Sequence, residues 1–250
     1  MPTLELLKYE PLNKLLKWND QFLMYLTPIF DPDPCVAGFI DHYWTLDGTG
    51  MDSGGGNSFE SIPWSSFVND SPNGDSSIYC FIDNSTASYT TDVSIQTTEG
   101  DSWSFFFWYK CPELTAADKD KEFFIMKDPS IFDQIKFYAE EENGDPNDIR
   151  PSLYVLNSGF NVYIDPSSWD TWHQMGIVMA PPYAYTYIDG IIYNAGFSGA
   201  TKGWTITLGG TNTGMQIANI AFYNTNLASG TPPFEIDSSL VYHQYEYEKT

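Results

Sequence analysis

Residues of the types that carry enzyme chemistry are few and widely spaced in this chain. The three histidines, His42, His173 and His243, lie far apart, and none begins an H-x-H or HExxH pattern, so a zinc site has no anchor. A G-x-S-x-G nucleophile elbow is absent, and the glycines at 54–56 lack the Lys and Ser or Thr that complete a phosphate-binding loop. The sequence therefore offers no motif for zinc-dependent hydrolysis, nucleophilic catalysis or phosphate binding.

Oxygen donors, in contrast, are concentrated in one short polar segment. This segment contains Asp47, Asp52, Ser53 and Asn57. Ca²⁺ takes its ligands from the carboxylate, amide and carbonyl oxygens of compact, flexible loops. The same residue types also form ordinary turns, because their side chains bond to nearby backbone groups. Both interpretations stay open, and calcium is the one metal that the sequence favours.

The chain is strongly acidic and rich in aromatic residues. Its 250 residues include 11 basic and 33 acidic side chains, a formal net charge of −22, and no Lys or Arg occurs between Asp31 and Tyr109. We expect neither nucleic acid nor an anionic membrane as a partner, because phosphate binding needs cations. No apolar run approaches the ~18 residues of a membrane span. The aromatic content of 17% suits both a sandwich core and a sugar-stacking surface.

Strand signals dominate from residue 39 onward. Met175, Ile177 and Met179 alternate with smaller or polar residues, as in a strand with one buried face. Asp189-Gly190 separates two β-rich runs and predicts a tight hairpin. The segment 102–109 is almost continuously apolar, which indicates a central strand that is buried on both faces. The sequence therefore predicts an all-β body.

The first 30 residues have a different pattern. Pro11 can open a helix, and apolar residues then recur at three- and four-residue steps. This stripe consists of Leu12, Leu15, Leu16, Phe22, Leu23 and Leu26. We therefore predict a helical N-terminal arm at residues 1–30 and a linker at 31–38. The arm either packs on its own sandwich or docks into another subunit or a larger assembly. We expect docking, because a lone short helix gains its stability mainly from packing.

Six segments in a fixed order resemble a known family. Two lie near the front and four near the end: Tyr43–Asp47, Asp52–Asn57, Trp172-His173, Tyr187–Gly190, Ile206–Gly210 and Tyr223–Leu227. Over residues 39–228 they resemble the laminin-G-like branch of the concanavalin-A-like lectin and glucanase jelly rolls. The resemblance implies a two-sheet antiparallel jelly-roll sandwich, followed by a C-terminal tail at 229–250. It also implies a core position for Trp44 and a structural role for His173.

The enzymes of that family carry E-x-D-x-(x)-E on one strand, where two carboxylates can flank a glycosidic bond. The nearest match here, Glu235–Ser239, lacks the second glutamate and follows the last strand of the resemblance. We therefore place the chain in the non-catalytic branch and expect no enzyme. Relatives also often hold calcium near the front motif, with an aspartate where this chain has Asn219. The lost charge should weaken a site formed by Asp47, Asp52, Ser53, Asn57 and Asn219.

Three classes of function remain, in order of preference. The first is a non-enzymatic structural or attachment protein on the exterior of a virion, such as a bacteriophage decoration, fibre or tail protein. No signal-peptide pattern is visible, and Cys35, Cys80 and Cys111 form no CxxC pair, which fits synthesis in a host cytoplasm. The alternatives are a free extracellular glycan-binding lectin module and a glycan hydrolase.

The partners follow from the first class. We expect other structural proteins to bind the arm, and we expect a homo-oligomer. A glycan ligand, such as one on a cell surface, should meet aromatic rings and polar groups at the loop ends of the sandwich. The residues that we assign to such a ligand are Trp64, Trp204, Asp52 and Asn57.

Overall fold

The protein is all-β in the residues that the structure describes. This computed structural model describes residues 5–6, 14–18, 21–26, 40–52, 58–59, 62, 64–75, 77–83, 93–96, 102–127, 134–155, 161–163, 169–180, 183–197, 203–209 and 211–223. In those residues the helical elements are short 3-10 turns, and none is long and apolar enough to cross a membrane. The chain divides into two compact units, Met1–Asp31 and Pro32–Thr250.

The first unit is a three-stranded antiparallel sheet. Strands β1 (Glu5–Leu6) and β3 (Gln21–Leu26) flank β2 (Lys14–Trp18). The prediction of a helical arm is therefore wrong for these residues. Their apolar side chains come in adjacent pairs and runs, and the period of a short apolar run does not separate helix from strand. Five residues of the predicted stripe lie on β2 and β3, and the sixth lies outside the described residues: Leu15, Leu16, Phe22, Leu23 and Leu26, then Leu12.

The second unit contains two antiparallel sheets. The eight-stranded sheet consists of β4 (Ile40–Trp44), β5 (Phe67–Asn69), β6 (Tyr79–Ile82), β8 (Trp103–Lys110), β13 (Trp172–Ala180), β14 (Tyr183–Ile188), β15 (Ile191–Phe197) and β17 (Gln216–Tyr223). The six-stranded sheet consists of β7 (Val93–Gln96), β9 (Glu122–Lys127), β10 (Gln134–Glu141), β11 (Ile149–Val155), β12 (Asn161–Tyr163) and β16 (Gly203–Leu208).

The strand order is that of a jelly roll. The larger sheet runs β15-β14-β13-β8-β17-β6-β5, with β4 also paired to β17, and the smaller runs β12-β11-β10-β9-β16-β7. Strand β8 pairs with β17 in the first sheet, and their chain neighbours β9 and β16 pair in the second. A two-stranded antiparallel ribbon therefore crosses from one sheet to the other. The predicted two-sheet sandwich is confirmed.

Aromatic side chains join the two sheets in a common core. The ring of Phe137 on β10 lies 5.5 Å from that of Phe107 and 5.0 Å from that of Tyr109, both on β8. Phe106 and Trp108 alternate with them on the opposite face of β8 and are buried too. The prediction of a strand buried on both faces is confirmed. We call the face of the eight-stranded sheet that points away from the common core its outer face.

Two local features set the ends of the strands. Asp189 and Gly190 have φ values of 52° and 73°, so they form the predicted tight turn between β14 and β15. Asn219, at φ 47°, lies where the register between β17 and β8 shifts, between Ala218 and Ala221. Asn tolerates this left-handed conformation, which allows a bulge in the strand at the centre of the sheet.

Candidate functional site

The predicted calcium segment is only partly described. Asp47 Oδ1 accepts a hydrogen bond from the Tyr79 amide at 2.8 Å. Burial raises the pKa of Asp47, and the charge of nearby Asp75 adds to the rise, although the Tyr79 bond opposes it. No group of three or more His, Cys, Asp or Glu side chains in the described residues could hold a metal ion. Calcium binding at this segment therefore stays a prediction.

Asp52, predicted for both calcium and ligand binding, is buried, and its carboxylate contacts residues of the preceding strand, β4. Its Oδ2 lies 2.7 Å from His42 Nδ1, and its Oδ1 accepts a hydrogen bond from the Tyr43 amide at 3.0 Å. A backbone bridge between Asp52 and Trp44 brings the carboxylate to this place. These contacts give Asp52 a structural role, because they join the loop after β4 to that strand.

The second described histidine has the same arrangement. Asp189 Oδ2 lies 2.7 Å from His173 Nδ1, and Asp189 Oδ1 accepts a hydrogen bond from the Gln174 amide at 2.9 Å. The Thr171 hydroxyl lies 2.8 Å from the other ring nitrogen of His173. The aspartate of the tight turn thus fixes the start of β13, and His173 has the structural contacts that the family resemblance implied.

The other predicted ligands are not brought into one described site. The backbone amide of Asn219 donates to the Thr45 carbonyl oxygen at 3.2 Å. The side-chain Nδ2 of Asn219 is buried and has no hydrogen-bond partner in the described part of the chain. Trp64 lies in a 3-10 turn and Trp204 lies on β16, but their side chains fall outside the described residues, as do Ser53 and Asn57. Their roles remain predictions.

The structure instead brings together three residues that are distant in the sequence. Asp70 follows β5, Lys110 ends β8 and Trp172 begins β13. Lys110 Nζ donates to Asp70 Oδ2 at 2.8 Å, and Trp172 Nε1 donates to Asp70 Oδ1 at 3.1 Å. The amide of Ser71 also donates to Asp70 Oδ1, at 2.9 Å. We call Asp70, Lys110 and Trp172 the tryptophan clamp.

The clamp joins distant strands of the larger sheet. Four inter-strand spacings of about 4.8 Å separate β5 from β13, roughly 19 Å along a flat sheet. Asp70 lies in the loop that follows β5, and its contact with Trp172 therefore brings that loop to the start of β13.

A small buried cluster supports the clamp from below. It consists of Cys80, Trp108 and Ala218, and Trp172 and Val68 pack against it while remaining partly exposed. Since Trp172 is held at its edge by a hydrogen bond and underneath by packing, its ring has a fixed orientation. A fixed, partly exposed indole is the kind of surface on which the apolar side of a sugar ring stacks.

The loop that carries Asp70 is ordered by its own side chains. The Ser71 hydroxyl donates to Asn73 Oδ1 at 2.6 Å and to the Asp75 carbonyl oxygen at 3.0 Å. The Asp75 amide in turn donates to Asn73 Oδ1 at 3.0 Å. Turn residues such as these fix a loop through local bonds, and the Asp70 carboxylate is therefore presented in a defined position.

The clamp contains an ion pair between Asp70 and Lys110. Burial alone would raise the pKa of Asp70, but the hydrogen bonds from Lys110 and Trp172, together with the Lys110 charge, bring that pKa below its ordinary value. Burial also raises the pKa of the Cys80 thiol, with the charge of Asp70 as a second cause. At neutral pH Asp70 is therefore a carboxylate that balances the charge of Lys110, and the thiol of Cys80 in the cluster beneath them is neutral.

Sequence reasoning did not find this site. Trp172 belongs to one of the segments that carry the family resemblance, whereas Asp70 lies 102 residues earlier and belongs to none of them. The basic residue was the available signal, because Lys110 is the first Lys or Arg after a long stretch without any. A cation that is partly buried in so acidic a chain is expected to pair with a carboxylate, although the sequence does not say which one.

Comparisons with known proteins show likeness of fold. No family profile and no curated protein matches the sequence. Among solved structures, HCR/D-Sa-GBL1/C aligns with a TM-score of 0.51 and 14% identity over 83% of this chain and 51% of that chain. Domain 4 of AbnA, an extracellular arabinanase of Geobacillus stearothermophilus solved with arabinotriose, aligns with a TM-score of 0.45 and 10% identity over 83% and 98%. The binding domain of botulinum neurotoxin serotype D gives 0.45 and 14% over 84% and 52%.

The first of these comparisons agrees with the jelly-roll fold, and this chain spans about half the length of that protein. At such low identity it shows the fold alone. The laminin-G-like family therefore remains a resemblance of sequence motifs. The two-sheet sandwich that this resemblance implied is shown by the structure.

Proposed function

We propose that this protein is a non-enzymatic attachment protein whose jelly roll binds glycans through the tryptophan clamp. The observation that carries the proposal is the fixed, partly exposed ring of Trp172 beside two charged hydrogen-bonding groups. Glycan sites combine an aromatic platform with a few placed polar groups, and the clamp supplies both. The solved structures of similar fold include a domain with arabinotriose and a toxin binding domain, which is compatible with such a role.

The contacts of four described aspartates favour binding over catalysis. A retaining or inverting glycosidase needs two carboxyl groups free to face the scissile bond. Here the oxygens of Asp52, Asp70 and Asp189 accept hydrogen bonds from the chain's own groups. Asp83 does the same with the amide and hydroxyl groups of residues 211–213. Glu235 and Asp237 lie outside the described residues, so the hydrolase alternative is tested by activity.

We further propose that the protein belongs to the exterior of a virion, such as a bacteriophage, and that its N-terminal unit attaches it there. That unit is a small sheet of its own, separate from the sandwich in the division of the chain. So small a sheet rarely has a sufficient core. Deletion of residues 1–30 should leave the sandwich folded and abolish co-purification with the particle. A truncated protein that melts much earlier and still assembles would reverse this assignment.

Glycan binding is tested on an array, followed by calorimetry with the strongest hit. Trp172→Ala should weaken binding about tenfold or more, as expected for the central aromatic ring of a site. Tyr154→Ala is the matched control, because it removes a partly exposed aromatic ring from the opposite sheet. Equal losses in the two variants would argue against the clamp as the site. An array without hits would leave only the structural role, and turnover of β-glucans would favour the hydrolase.

A further inference from the structure

We propose that the tryptophan clamp selects uncharged sugar rings over acidic ones and binds them without a metal ion. This inference rests on the proposed glycan binding and adds the chemical class of the ligand. It follows from three properties of the clamp: its local charge, the use of its carboxylate oxygens and the donors that remain on Lys110.

The positive charge of the clamp is compensated within the clamp. Lys110 is the cation of the clamp, and Asp70 compensates it at 2.8 Å. The other described Lys and Arg side chains with ion pairs are held elsewhere: Lys119 by Glu141, Lys121 by Asp118, Lys136 by Glu122 and Arg150 by Asp148. An acidic sugar would therefore find no uncompensated positive charge at the clamp to offset the repulsion from a protein of net charge −22. That repulsion disfavours an acidic ligand, and an uncharged ring does not experience it.

Both carboxylate oxygens of Asp70 accept hydrogen bonds from the protein itself. Asp70 Oδ1 accepts from the Trp172 ring and the Ser71 amide, and Oδ2 accepts from Lys110. Ca²⁺ would need several oxygens directed at it and would face the Lys110 ammonium group within hydrogen-bond distance of the same carboxylate. The carboxylate is therefore a positioning group for Trp172 and Lys110, and binding at the clamp does not need calcium.

Lys110 has more N–H donors than its bond to Asp70 uses. An ammonium group has three N–H bonds, and one of those on Lys110 is directed at Asp70. The other two can donate to ligand oxygens, which matches the hydroxyl groups of a sugar whose ring lies on Trp172. The clamp thus offers an aromatic ring and two N–H donors in a fixed relation, and the selection against acidic sugars comes from its charge balance alone.

The test uses N-acetyllactosamine glycans and their sialylated counterparts on the same core, with calcium and with EDTA. The wild-type protein should bind the neutral member about tenfold tighter. EDTA should change the affinity less than about twofold, since a metal contributes only through ligands that the clamp lacks. Tighter binding of the sialylated member, or loss of binding in EDTA, would overturn the inference while leaving glycan binding intact. Absence of binding to both members would instead contradict the proposed function.

Two charge variants sharpen the test. Asp70→Asn leaves Lys110 uncompensated and keeps a carbonyl acceptor for Trp172, so it should narrow or reverse the preference for neutral glycans. Asp118→Asn is the matched control, because it removes the same charge from another carboxylate bonded to a lysine, Lys121. An effect confined to Asp70→Asn supports local selection by the clamp. Equal effects in the two variants would show that net charge alone is responsible and would overturn the local argument.

Discussion

Gly176 lies at the centre of the larger sheet, where the structure leaves no space for a side chain. Its neighbours across the strands are Phe106 on β8 and Tyr187 on β14. A Cβ atom on Gly176 would lie 2.4 Å from Phe106 Cε1 and 2.7 Å from Cδ1. Ordinary carbon contacts are about 3.5–4.0 Å, so the ring of Phe106 would have to move by roughly 1 Å. That ring is buried and packs edge-on to Tyr223 at 5.9 Å, which restricts the movement.

Gly176→Ala should therefore destabilise the protein by about 1–3 kcal/mol, the cost of overpacking a core. For a chain of this size that lowers Tm by roughly 2–12 °C. Urea unfolding followed by tryptophan fluorescence gives the free energy, and calorimetry gives Tm. Adding Phe106→Leu to Gly176→Ala should recover part of the loss, beyond the effect of Phe106→Leu alone. Gly176→Ala with unchanged stability would refute the packing described for the outer face.

Four further predictions concern charge and thiols. Asp70 has a depressed pKa in the folded state, so its carboxylate stabilises the fold above about pH 4, and this stabilisation is lost below that pH. Asp70→Asn should therefore destabilise the protein at pH 7 and destabilise it less at pH 3. Asp47 has a raised pKa, so its ionisation opposes folding at neutral pH, and Asp47→Asn should raise the unfolding midpoint at pH 7 but not at pH 3. Cys80 and Cys111 are buried with raised pKa values and should react with a thiol reagent only after unfolding. Raising NaCl from about 50 to about 500 mM should raise Tm, since screening weakens the repulsion of a protein with net charge −22; a flat or falling response would contradict that account.

The fold was largely predictable because its signals are local. The continuous apolar run of β8 and the Asp189-Gly190 turn depend on neighbouring residues, and both appear as expected. The N-terminal helix was predicted wrongly because β2 and β3 carry apolar residues in adjacent positions that fit either period.

The site was less predictable, since its contacts are not local. The bond between Asp70 and Trp172 joins residues 102 positions apart and depends on the order of several strands in the larger sheet. Asp52 shows a different limit. Its residue type and loop setting predict a ligand-binding role, which stays a prediction, and its contacts with His42 and Tyr43 join the loop to β4. Residue type alone does not tell whether a carboxylate faces its own chain or a partner.

The position of β17 has a consequence for how the chain folds. This strand pairs with β4, β6 and β8, and the pair Ile40 and Tyr223 is separated by nearly the whole jelly roll in sequence. The centre of the larger sheet therefore cannot close until residue 223 has left the ribosome, and such long-range pairing is slow. Until then the aromatic strand β8 has no partner at one edge. Repulsion between acidic nascent chains would oppose contacts between such edges on a polysome.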